Sequence, residues 1–446
     1  MTGPFVNTAL ILQPDFKTGT KPQDSRNADQ QLLEACGLAH AIDLEIVHTQ
    51  IISIAKMRAA TLIGPGVVEQ IAQIAEELDY PLIILNASLT PVQHRNLERS
   101  FKAKVIDRTA LILEIFGARA KSHAGRLQVE LAALTFQKSR LVRSWTHLER
   151  QRGGGGFLGG PGERQLELDK RMLTNQIRQI KGELAEVRRT RTLQRVRRQK
   201  SHTPSVALVG YTNAGKSTLF NRLTGADVLS KDMLFATLDP TIRGCKLPSG
   251  RTIMISDTVG FISALPTELV EAFKSTLEEV IEADLILHVH DLSAHNFEHE
   301  AEDVTRILTE IGLDSLDRED RLIHVFNKCD NLHDEEQQLL AESIRAGVAE
   351  PFGHSIVCSA ITDEGLDDLF SAMDQFFNRD EKLLCLQLKP EEASAGAWLH
   401  QNGQVHISEY DNKGMHLIKV SLSQANLARF MKSWPAIQIV QQEYPK

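Results

Sequence analysis

Eight consecutive residues have the types and spacing that hold the phosphates of a nucleotide. They are Gly210-Tyr211-Thr212-Asn213-Ala214-Gly215-Lys216-Ser217, which fit the pattern G-x-x-x-x-G-K-S of a P-loop. In such a loop the backbone N–H groups surround the phosphates, the lysine neutralises the β and γ oxygens, and the serine hydroxyl binds Mg²⁺. A predicted strand at 206–209 and a predicted helix at 218–223 supply the context that the pattern requires. We therefore expect a nucleotide site with a Mg²⁺ cofactor, in which Lys216 is catalytic and Ser217 is a metal ligand.

A second phosphate-binding element follows a predicted strand at 252–256. It reads Asp257-Thr258-Val259-Gly260. The Asp257 carboxylate is suited to hold the Mg²⁺ shell, and the Gly260 N–H is suited to contact the γ-phosphate. Asp-x-x-Gly is a weak pattern alone, but it is a strong one at the end of a strand downstream of a P-loop. We expect these four residues to line the nucleotide site and Gly260 to be catalytic.

Two further elements predict which base is bound. Asn327-Lys328-Cys329-Asp330 follows a predicted strand at 322–327, and Ser359-Ala360-Ile361 follows another at 355–358. The Asp330 carboxylate would accept from the ring N–H and the exocyclic amine of guanine, which adenine does not offer in that arrangement. Asn327 would link the base to the P-loop, the Lys328 stem would pack on the ring, and the Ala360 N–H would donate to guanine O6. The order and spacing of the elements predict GTP rather than ATP.

A segment between the P-loop and Asp257 is expected to change conformation with the nucleotide. It reads Phe235-Ala236-Thr237-Leu238-Asp239-Pro240-Thr241 and lies where a GTPase has its first switch. One threonine hydroxyl there should reach Mg²⁺ when the γ-phosphate is present. We favour Thr237, as a catalytic residue and metal ligand, but the residues alone leave Thr241 as a near-equal alternative.

The residue after Gly260 is Phe261, whereas Ras-like enzymes have a glutamine there that orients the attacking water. We therefore expect slow intrinsic hydrolysis. A partner or an ion would then have to place the water or supply positive charge.

Alternating strands and helices around these motifs predict an α/β fold with a doubly wound GTPase domain over 201–379. Further strands are predicted at 285–290, and in an N-terminal α/β domain (1–122) at 8–12 and 81–85. Helices are predicted there at 25–42, 66–78, 91–101 and 109–120. A small C-terminal α/β domain (380–446) should contain strands at 382–388, 404–410 and 416–420 and helices at 390–400 and 423–432, with a hairpin turn at 412–414.

The segment 123–200 is predicted to be a basic helical hairpin. Apolar residues recur at spacings of three and four from Leu127 to Leu148 and again from Leu166 to Val187, with Lys138 as one charged interruption. The glycine-rich stretch 153–162 between them cannot continue a helix. Residues 138–200 contain seventeen Lys and Arg against six Asp and Glu, within a chain whose net charge is −8. This basic block suggests a nucleic acid partner, with a solvated helix face as an even alternative.

Bulk properties exclude several other classes. The 446 residues are 42% hydrophobic and 24% charged, as in ordinary soluble proteins of several domains. Five scattered cysteines without a Cys-x-x-Cys pair indicate neither a disulfide framework nor a zinc site. With no apolar run of membrane-spanning length and no signal segment, we expect a cytoplasmic protein without a membrane span.

Taken together, the motifs resemble those of the HflX family of translation-factor-related GTPases. The resemblance rests on Gly-Pro-Gly-Glu at 160–163 with Gln-Leu-Glu at 165–167, the extended P-loop at 210–221, Phe-Ala-Thr-Leu-Asp-Pro-Thr, and Asp-Thr-Val-Gly-Phe. It covers most of the chain. It implies the four domains in the order given above, binding to ribosomal RNA and protein of the large ribosomal subunit through the hairpin and its tip, and a role in splitting or rescuing stalled ribosomes. It also implies Ser217 and Thr237 as the Mg²⁺ ligands. Arg164 and the excess of glycine at 153–160 depart from the family pattern at the tip.

Potassium-activated GTPases that resemble this chain have an asparagine at the position of Asn213. The resemblance therefore implies K⁺ as a further cofactor beside the β and γ phosphates, where it would act as an arginine finger does. The alternative is that Asn213 only shapes the loop. We find no second complete P-loop that would support ATP use by the N-terminal domain, and we expect a monomer.

Two other function classes fit the sequence less well. A transport-linked or tRNA-modifying GTPase would need a membrane domain or a catalytic cysteine after the nucleotide core, and the sequence offers neither. A scaffold that does not hydrolyse GTP is opposed by the intact set of Lys216, Ser217 and Asp257.

Overall fold

The computed structural model describes most of the chain. The described residues are 7–17, 27–151, 161–200, 203–226, 234–235, 237–238, 240–263, 277–294, 296–313, 321–332, 335–346, 354–379, 381–411, 414–437 and 439–443. They contain three separate sheets and a pair of long helices.

The N-terminal sheet is parallel, with strand order β2-β1-β3-β4. Its strands are β1 (Thr8–Phe16), β2 (Glu45–Ile54), β3 (Leu82–Leu85) and β4 (Val105–Asp107), and its helices are α1 (Ala28–His40), α2 (Pro65–Glu77), α3 (Pro91–Phe101) and α4 (Arg108–Arg119). The side chain of Asp107 caps α4 by accepting from the Ala110 N–H at 2.8 Å. The structure confirms the two predicted strands and four predicted helices and adds β2 and β4.

The helical hairpin consists of α5 (His123–Gln151) and α6 (Pro161–Lys200). Leu127 and Leu131 of α5 pack against Ile180 and Leu184 of α6 in one buried cluster. Both predicted apolar seams therefore meet over this stretch. Residues 153–160, which are most of the predicted glycine-rich tip, and the side chains of 142–151 and 161–166 lie outside the described residues. The last two residues of the predicted tip, 161 and 162, instead begin α6, because proline is tolerated in the first turn of a helix.

The central sheet has the order β10-β9-β8-β5-β7-β6 and lies within 201–379, the predicted GTPase domain. Its strands are β5 (Ser205–Gly210), β6 (Thr241–Lys246), β7 (Thr252–Asp257), β8 (Leu285–Asp291), β9 (Leu322–Asn327) and β10 (Ser355–Val357). Its helices are α7 (Lys216–Thr224), α8 (Phe297–Glu310), α9 (Glu335–Arg345) and α10 (Leu366–Asn378). Only the unpredicted edge strand β6 runs antiparallel to its neighbour. Because the other five strands are parallel, every motif that follows one of them emerges at the same edge of the sheet.

The C-terminal sheet is antiparallel, with strand order β12-β13-β11-β14. Its strands are β11 (Glu381–Leu388), β12 (Gln404–Tyr410), β13 (His416–Ser423) and β14 (Ile439–Glu443), and its helices are α11 (Ala393–Asn402) and α12 (Gln424–Ser433). Strand β14 was not predicted, and 412–413 of the predicted turn lie outside the described residues. Within the part of the chain that the structure describes, no helix has the length and hydropathy to cross a membrane.

Candidate functional site

The P-loop joins the end of β5 to the start of α7, as the sequence predicts. Gly215 has a φ of +90°, and a Cβ atom there would lie 2.1 Å from the Nδ2 atom of Asn327. Only glycine meets both demands, because other residues rarely adopt this conformation and the space is already filled. The glycine thus brings the P-loop into contact with Asn327 of the segment 327–330, the predicted base-recognition element.

Lys216 lies at the centre of the site and is 6% exposed. Its Nζ atom donates to the carbonyl oxygens of Gly210 at 3.0 Å and Tyr211 at 2.6 Å. Burial lowers the pKa of this amine to about 8, and the nearby Asp257 carboxylate acts in the opposite direction. A bound phosphate would replace the two carbonyl oxygens as the partner of Lys216 Nζ. Its negative charge would stabilise the protonated form of the amine.

Three oxygen-bearing side chains converge beside Lys216. The Ser217 hydroxyl donates to Asp257 Oδ2 at 2.7 Å, and the Thr237 hydroxyl donates to the same oxygen at 2.8 Å. The two hydroxyl oxygens are themselves 2.8 Å apart. No donor among the described residues reaches the buried Oδ1 atom of Asp257, and burial raises the pKa of this carboxyl.

This arrangement fits a magnesium ion. Mg²⁺ binds oxygen ligands at 2.0–2.1 Å in an octahedron, which places adjacent ligand oxygens about 3 Å apart. The hydroxyls of Ser217 and Thr237 already have nearly this separation, and the Asp257 carboxylate adds negative charge and an unused acceptor. Of the two candidate switch threonines, Thr237 lies at this point, whereas Thr241 begins β6.

Other predicted switch residues serve the fold. The Phe235 ring is buried and meets Phe116 of α4 edge to face at 4.6 Å, and Leu238 is also buried. Their side chains therefore face the hydrophobic core, which leaves only their backbone for a nucleotide. Ala236 and Asp239 lie outside the described residues.

The element after β7 is bonded directly to the P-loop. The Thr212 N–H donates to Phe261 O at 2.7 Å, and the Phe261 N–H donates to Gly210 O at 3.1 Å. A Cβ atom on Gly260 would lie 3.0 Å from Thr212 Cα and 3.0 Å from Lys216 Nζ, so a larger residue would push against the P-loop backbone. The Phe261 ring is buried at 2% exposure, which agrees with the expectation that it does not orient water. Thr258 donates to Leu208 O at 2.6 Å and Val259 is buried, so both side chains support the sheet.

The Asn327 side chain forms hydrogen bonds with the P-loop and with the loop that follows β10. Its Nδ2 atom donates to Ala214 O at 2.9 Å, and its Oδ1 atom accepts from the Ala360 N–H at 3.0 Å. The link to the P-loop agrees with the sequence expectation. The Ala360 N–H, expected to meet guanine O6, is used by Asn327 here and would have to be shared with the base.

The remaining base-recognition residues leave room for a ligand. Lys328 has a φ of +65° and pairs with Asp291 at 2.8 Å, so its stem is held in one direction. Asp330 is exposed, as a carboxylate that binds guanine must be in the absence of the base. Burial raises the pKa of the Cys329 thiol to about 11, so this thiol is neutral. Ser359 Oγ accepts from the N–H groups of Ile361 and Thr362, which shapes the loop.

Arg222 of α7 was missed by the sequence analysis. Its guanidinium donates to the carbonyl oxygens of Ala360 at 3.1 Å and Ile361 at 3.0 Å. It therefore fixes the loop that should contact the base. No local pattern marks this arginine, because its partners lie more than a hundred residues away.

A polar cluster that joins the N-terminal sheet to the P-loop was also missed. Glu34 of α1 accepts from the Tyr211 hydroxyl and, at 2.8 Å, from Arg108, which also donates to Ser263 O at 3.1 Å. The Ser263 N–H donates to the Tyr211 hydroxyl oxygen at 2.8 Å. We call these four residues the Glu34 cluster. A cavity of about 440 Å³ beside it is bounded by α1, the P-loop and Glu300.

Asn213 is exposed and has a φ of +62°. Asparagine tolerates this left-handed conformation better than most residues do. The loop geometry therefore accounts for an asparagine here whether or not its carbonyl binds an ion.

Three family models match successive parts of the chain. Residues 29–117 match the N-terminal region of GTP-binding GTPases, residues 119–198 match their middle region, and residues 205–341 match the 50S ribosome-binding GTPase. These segments contain strands β2 to β4 of the N-terminal sheet, nearly all of the hairpin, and strands β5 to β9 of the central sheet.

Curated relatives match over most of their length. GTPase HflX of Magnetococcus marinus is 50% identical over 83% of this chain and 82% of its own, and GTPase HflX of Escherichia coli is 40% identical over 84% and 85%. Among solved structures, a GTP-binding protein from Sulfolobus solfataricus in complex with GDP aligns with 83% of this chain and 99% of its own at 23% identity, with a TM-score of 0.44.

Proposed function

Since the chain belongs to the HflX family of GTPases and is a P-loop GTP hydrolase, we propose that it binds the large ribosomal subunit and splits or rescues stalled ribosomes. The observation that carries this proposal is the match of residues 205–341 to the 50S ribosome-binding GTPase, next to a hairpin rich in positive charge.

The described part of α6 presents its charge to the solvent. Five basic side chains are exposed there: Lys170, Arg171, Arg178, Lys181 and Arg189. Leu168 and Met172 are also exposed, at 53% and 61%. A basic helix with exposed apolar side chains suits the phosphates and bases of ribosomal RNA. The hairpin, ending in the glycine-rich tip, is the proposed contact with the subunit.

The proposed nucleotide site uses the residues predicted from the sequence. Ser217 and Thr237 would bind Mg²⁺ directly, and Asp257 would hold the surrounding shell. Lys216 and the Gly260 N–H would stabilise the γ-phosphate, while Asp330 would select guanine. The ion supplies charge stabilisation at the β and γ phosphates when bound. K⁺ at Asn213 is a second proposed cofactor, which would compensate for the buried Phe261.

The proposed division of the chain is 1–122, 123–200, 201–379 and 380–446, which separates the three sheets and the hairpin. We propose that the protein acts as a monomer in the cytoplasm, where ribosomes are found. Its five cysteines are free thiols, in keeping with a reducing compartment.

Co-sedimentation tests ribosome binding. Purified large subunits, the protein and a non-hydrolysable GTP analogue are centrifuged on sucrose gradients at increasing salt. The protein should travel with the subunit, and its affinity should fall steeply with salt because bound counterions are released from RNA. Reversing Arg178, Lys181 and Arg189 to Glu should remove it from the subunit fraction without changing GTP affinity.

A matched control carries the same charge change elsewhere. Arg95, Arg99 and Lys102 are exposed near α3, and their reversal to Glu should leave most of the binding intact. Equal binding by the two triple variants would refute the role of the hairpin. Deleting residues 153–160 should preserve subunit binding better than the charge reversal but abolish the dissociation of intact ribosomes followed by light scattering. Unchanged dissociation would refute the role of the tip.

A further inference from the structure

Three histidine side chains meet on one face of the central sheet, and none of them is among the predicted nucleotide ligands. They are His288 and His290 of β8 and His324 of β9. Each offers a ring nitrogen, and these nitrogens all lie within 4.8 Å of one another. His288 and His290 are 1% and 4% exposed, whereas His324 is partly exposed. Both strands were predicted from the sequence, but no role was assigned to these three histidines.

The sheet geometry explains why the three rings share one face. His288 and His290 are two residues apart, so their side chains project to the same side of β8. His324 is the direct partner of His288 in the parallel pairing of β8 with β9. The ring centroids of His288 and His290 lie 3.9 Å apart, and those of His290 and His324 lie 5.2 Å apart. The cluster is therefore held by strand register rather than by a loop.

The chemistry of the cluster suits a metal ion. Imidazole nitrogens bind Zn²⁺ and other late transition metals at about 2.0–2.1 Å, and a tetrahedral site places them about 3.4 Å apart. His290 Nε2 and His324 Nδ1 are already 2.9 Å apart, joined by a hydrogen bond. For both atoms to bind a metal, the proton between them moves to the other nitrogen of its ring, and no proton is lost.

The buried surroundings agree with this requirement. Burial, reinforced by His324, holds the pKa of His290 well below its usual value, so the ring is neutral and keeps a lone pair. The partly exposed His324 provides a route from the surface. The described residues contain no other group of three such side chains with metal-ligand spacing.

We propose that His288, His290 and His324 form a binding site for a transition-metal ion, with Zn²⁺ as the ion that the three imidazoles fit. Three protein ligands leave one tetrahedral position for a small molecule such as water.

The three histidines lie next to residues that contact or precede the predicted base-recognition element. His290 is followed by Asp291, which pairs with Lys328 at 2.8 Å. The His290 ring also stacks on Phe326 at 4.9 Å, and Phe326 precedes Asn327. A bound ion would fix the ends of β8 and β9 with respect to each other. We therefore expect Zn²⁺ to slow the release of GDP.

Metal analysis of the full-length protein tests the proposal. The chain is stripped with a chelator, incubated with one to three equivalents of Zn²⁺ in excess Mg²⁺, passed through a desalting column and analysed for metal. One Zn²⁺ per chain should remain. The Co²⁺ form should show the intense visible absorption of a tetrahedral site, and X-ray absorption should report about three imidazole ligands. No ribosome is involved, so the outcome is independent of the proposed ribosomal function.

Variants locate the ion. His290→Leu and, separately, the milder His324→Asn should each lose the stoichiometric Zn²⁺ and the Co²⁺ absorption. His400→Ala is the matched control, because His400 is exposed on α11, and it should retain both. Far-ultraviolet circular dichroism and a cooperative thermal transition verify that each variant is folded. Failure of the wild-type chain to retain Zn²⁺, or equal retention by folded His290 and His324 variants, would overturn the proposal.

Discussion

The Glu34 cluster predicts that one substitution in the N-terminal sheet loosens the nucleotide site. The side chains of Glu34 and Arg108 are each 9% exposed and lie 2.8 Å apart. Arg108→Met retains an apolar side chain of similar length but leaves the Glu34 carboxylate buried without its cation. Breaking a buried pair in this way costs about 3–5 kcal/mol.

The lower end of this range applies here. Glu34 also accepts from the Tyr211 hydroxyl and, at 3.4 Å, from the Ser263 hydroxyl, so its charge retains two donors in the variant. A loss of about 3 kcal/mol makes local opening roughly 100-fold more frequent. The Ser263 N–H, which donates to the Tyr211 hydroxyl oxygen, reports this opening directly.

Hydrogen exchange read by mass spectrometry on peptides that contain Ser263 measures the effect. We expect roughly 100-fold faster exchange in Arg108→Met. The double variant Glu34→Gln, Arg108→Met should recover most of the protection, because no buried charge then remains. Arg119→Met is the matched control, since Arg119 donates to the Ala41 carbonyl within the N-terminal sheet layer and is not a member of the Glu34 cluster. Wild-type protection in the single variant, or a double variant no better than the single one, would refute this reasoning.

Three predictions concern the nucleotide itself. Asp330→Asn should weaken GTP binding in calorimetry by about 100-fold, since charged hydrogen bonds of about 1.5–3 kcal/mol are lost, and unchanged affinity would contradict guanine selection by Asp330. Because burial lowers the pKa of Lys216 to about 8, the amine is neutral above that pH and charged beside phosphate. The protein should therefore take up nearly one proton when it binds GDP at about pH 9, and almost none at about pH 7. Proton uptake makes the measured heat of binding depend on the ionisation heat of the buffer. A heat of binding at about pH 9 that is the same in different buffers would disprove this prediction. Replacing Na⁺ with K⁺ should raise the rate of GTP turnover. Asn213→Gly should abolish this difference between the two salts, because glycine keeps the left-handed backbone without strain but has no side-chain carbonyl. Equal turnover of the wild-type chain in both salts would exclude a role for K⁺.

The meeting of the motif residues at one edge could be predicted from the sequence, because the motifs are local and the sheet is parallel. Each motif follows its own strand, so the topology alone brings Lys216, Asp257 and Asn327 to one edge. Strands β2 and β6 escaped prediction because neither has a continuous apolar run. β2 mixes apolar and polar residues, and β6 contains exposed Arg243 and Gly244.

Contacts between distant segments could not be predicted from one sequence. Glu34 and Tyr211 are separated by 177 positions, and a glutamate on an amphipathic helix ordinarily faces water. Phe235 was assigned to the nucleotide from its place in a motif, whereas its ring belongs to the contact with Phe116. Likewise, the histidines of β8 and β9 form a cluster only through a register that the sequence does not specify.

Helix α6 has a mechanical consequence. It runs for 40 residues from the glycine-rich segment to within five residues of β5, the strand that leads into the P-loop. At 1.5 Å per residue this is a rod about 60 Å long. Helix α6 packs against α5 through apolar contacts near Ile180 and Leu184, which act as a pivot. Roughly 30 Å of helix lies between this pivot and Pro161. Because this pivot lies near the middle of the helix, a rotation of about 10° moves either end by about 5 Å, and a displacement at the nucleotide end would be transmitted to the other end at a similar size.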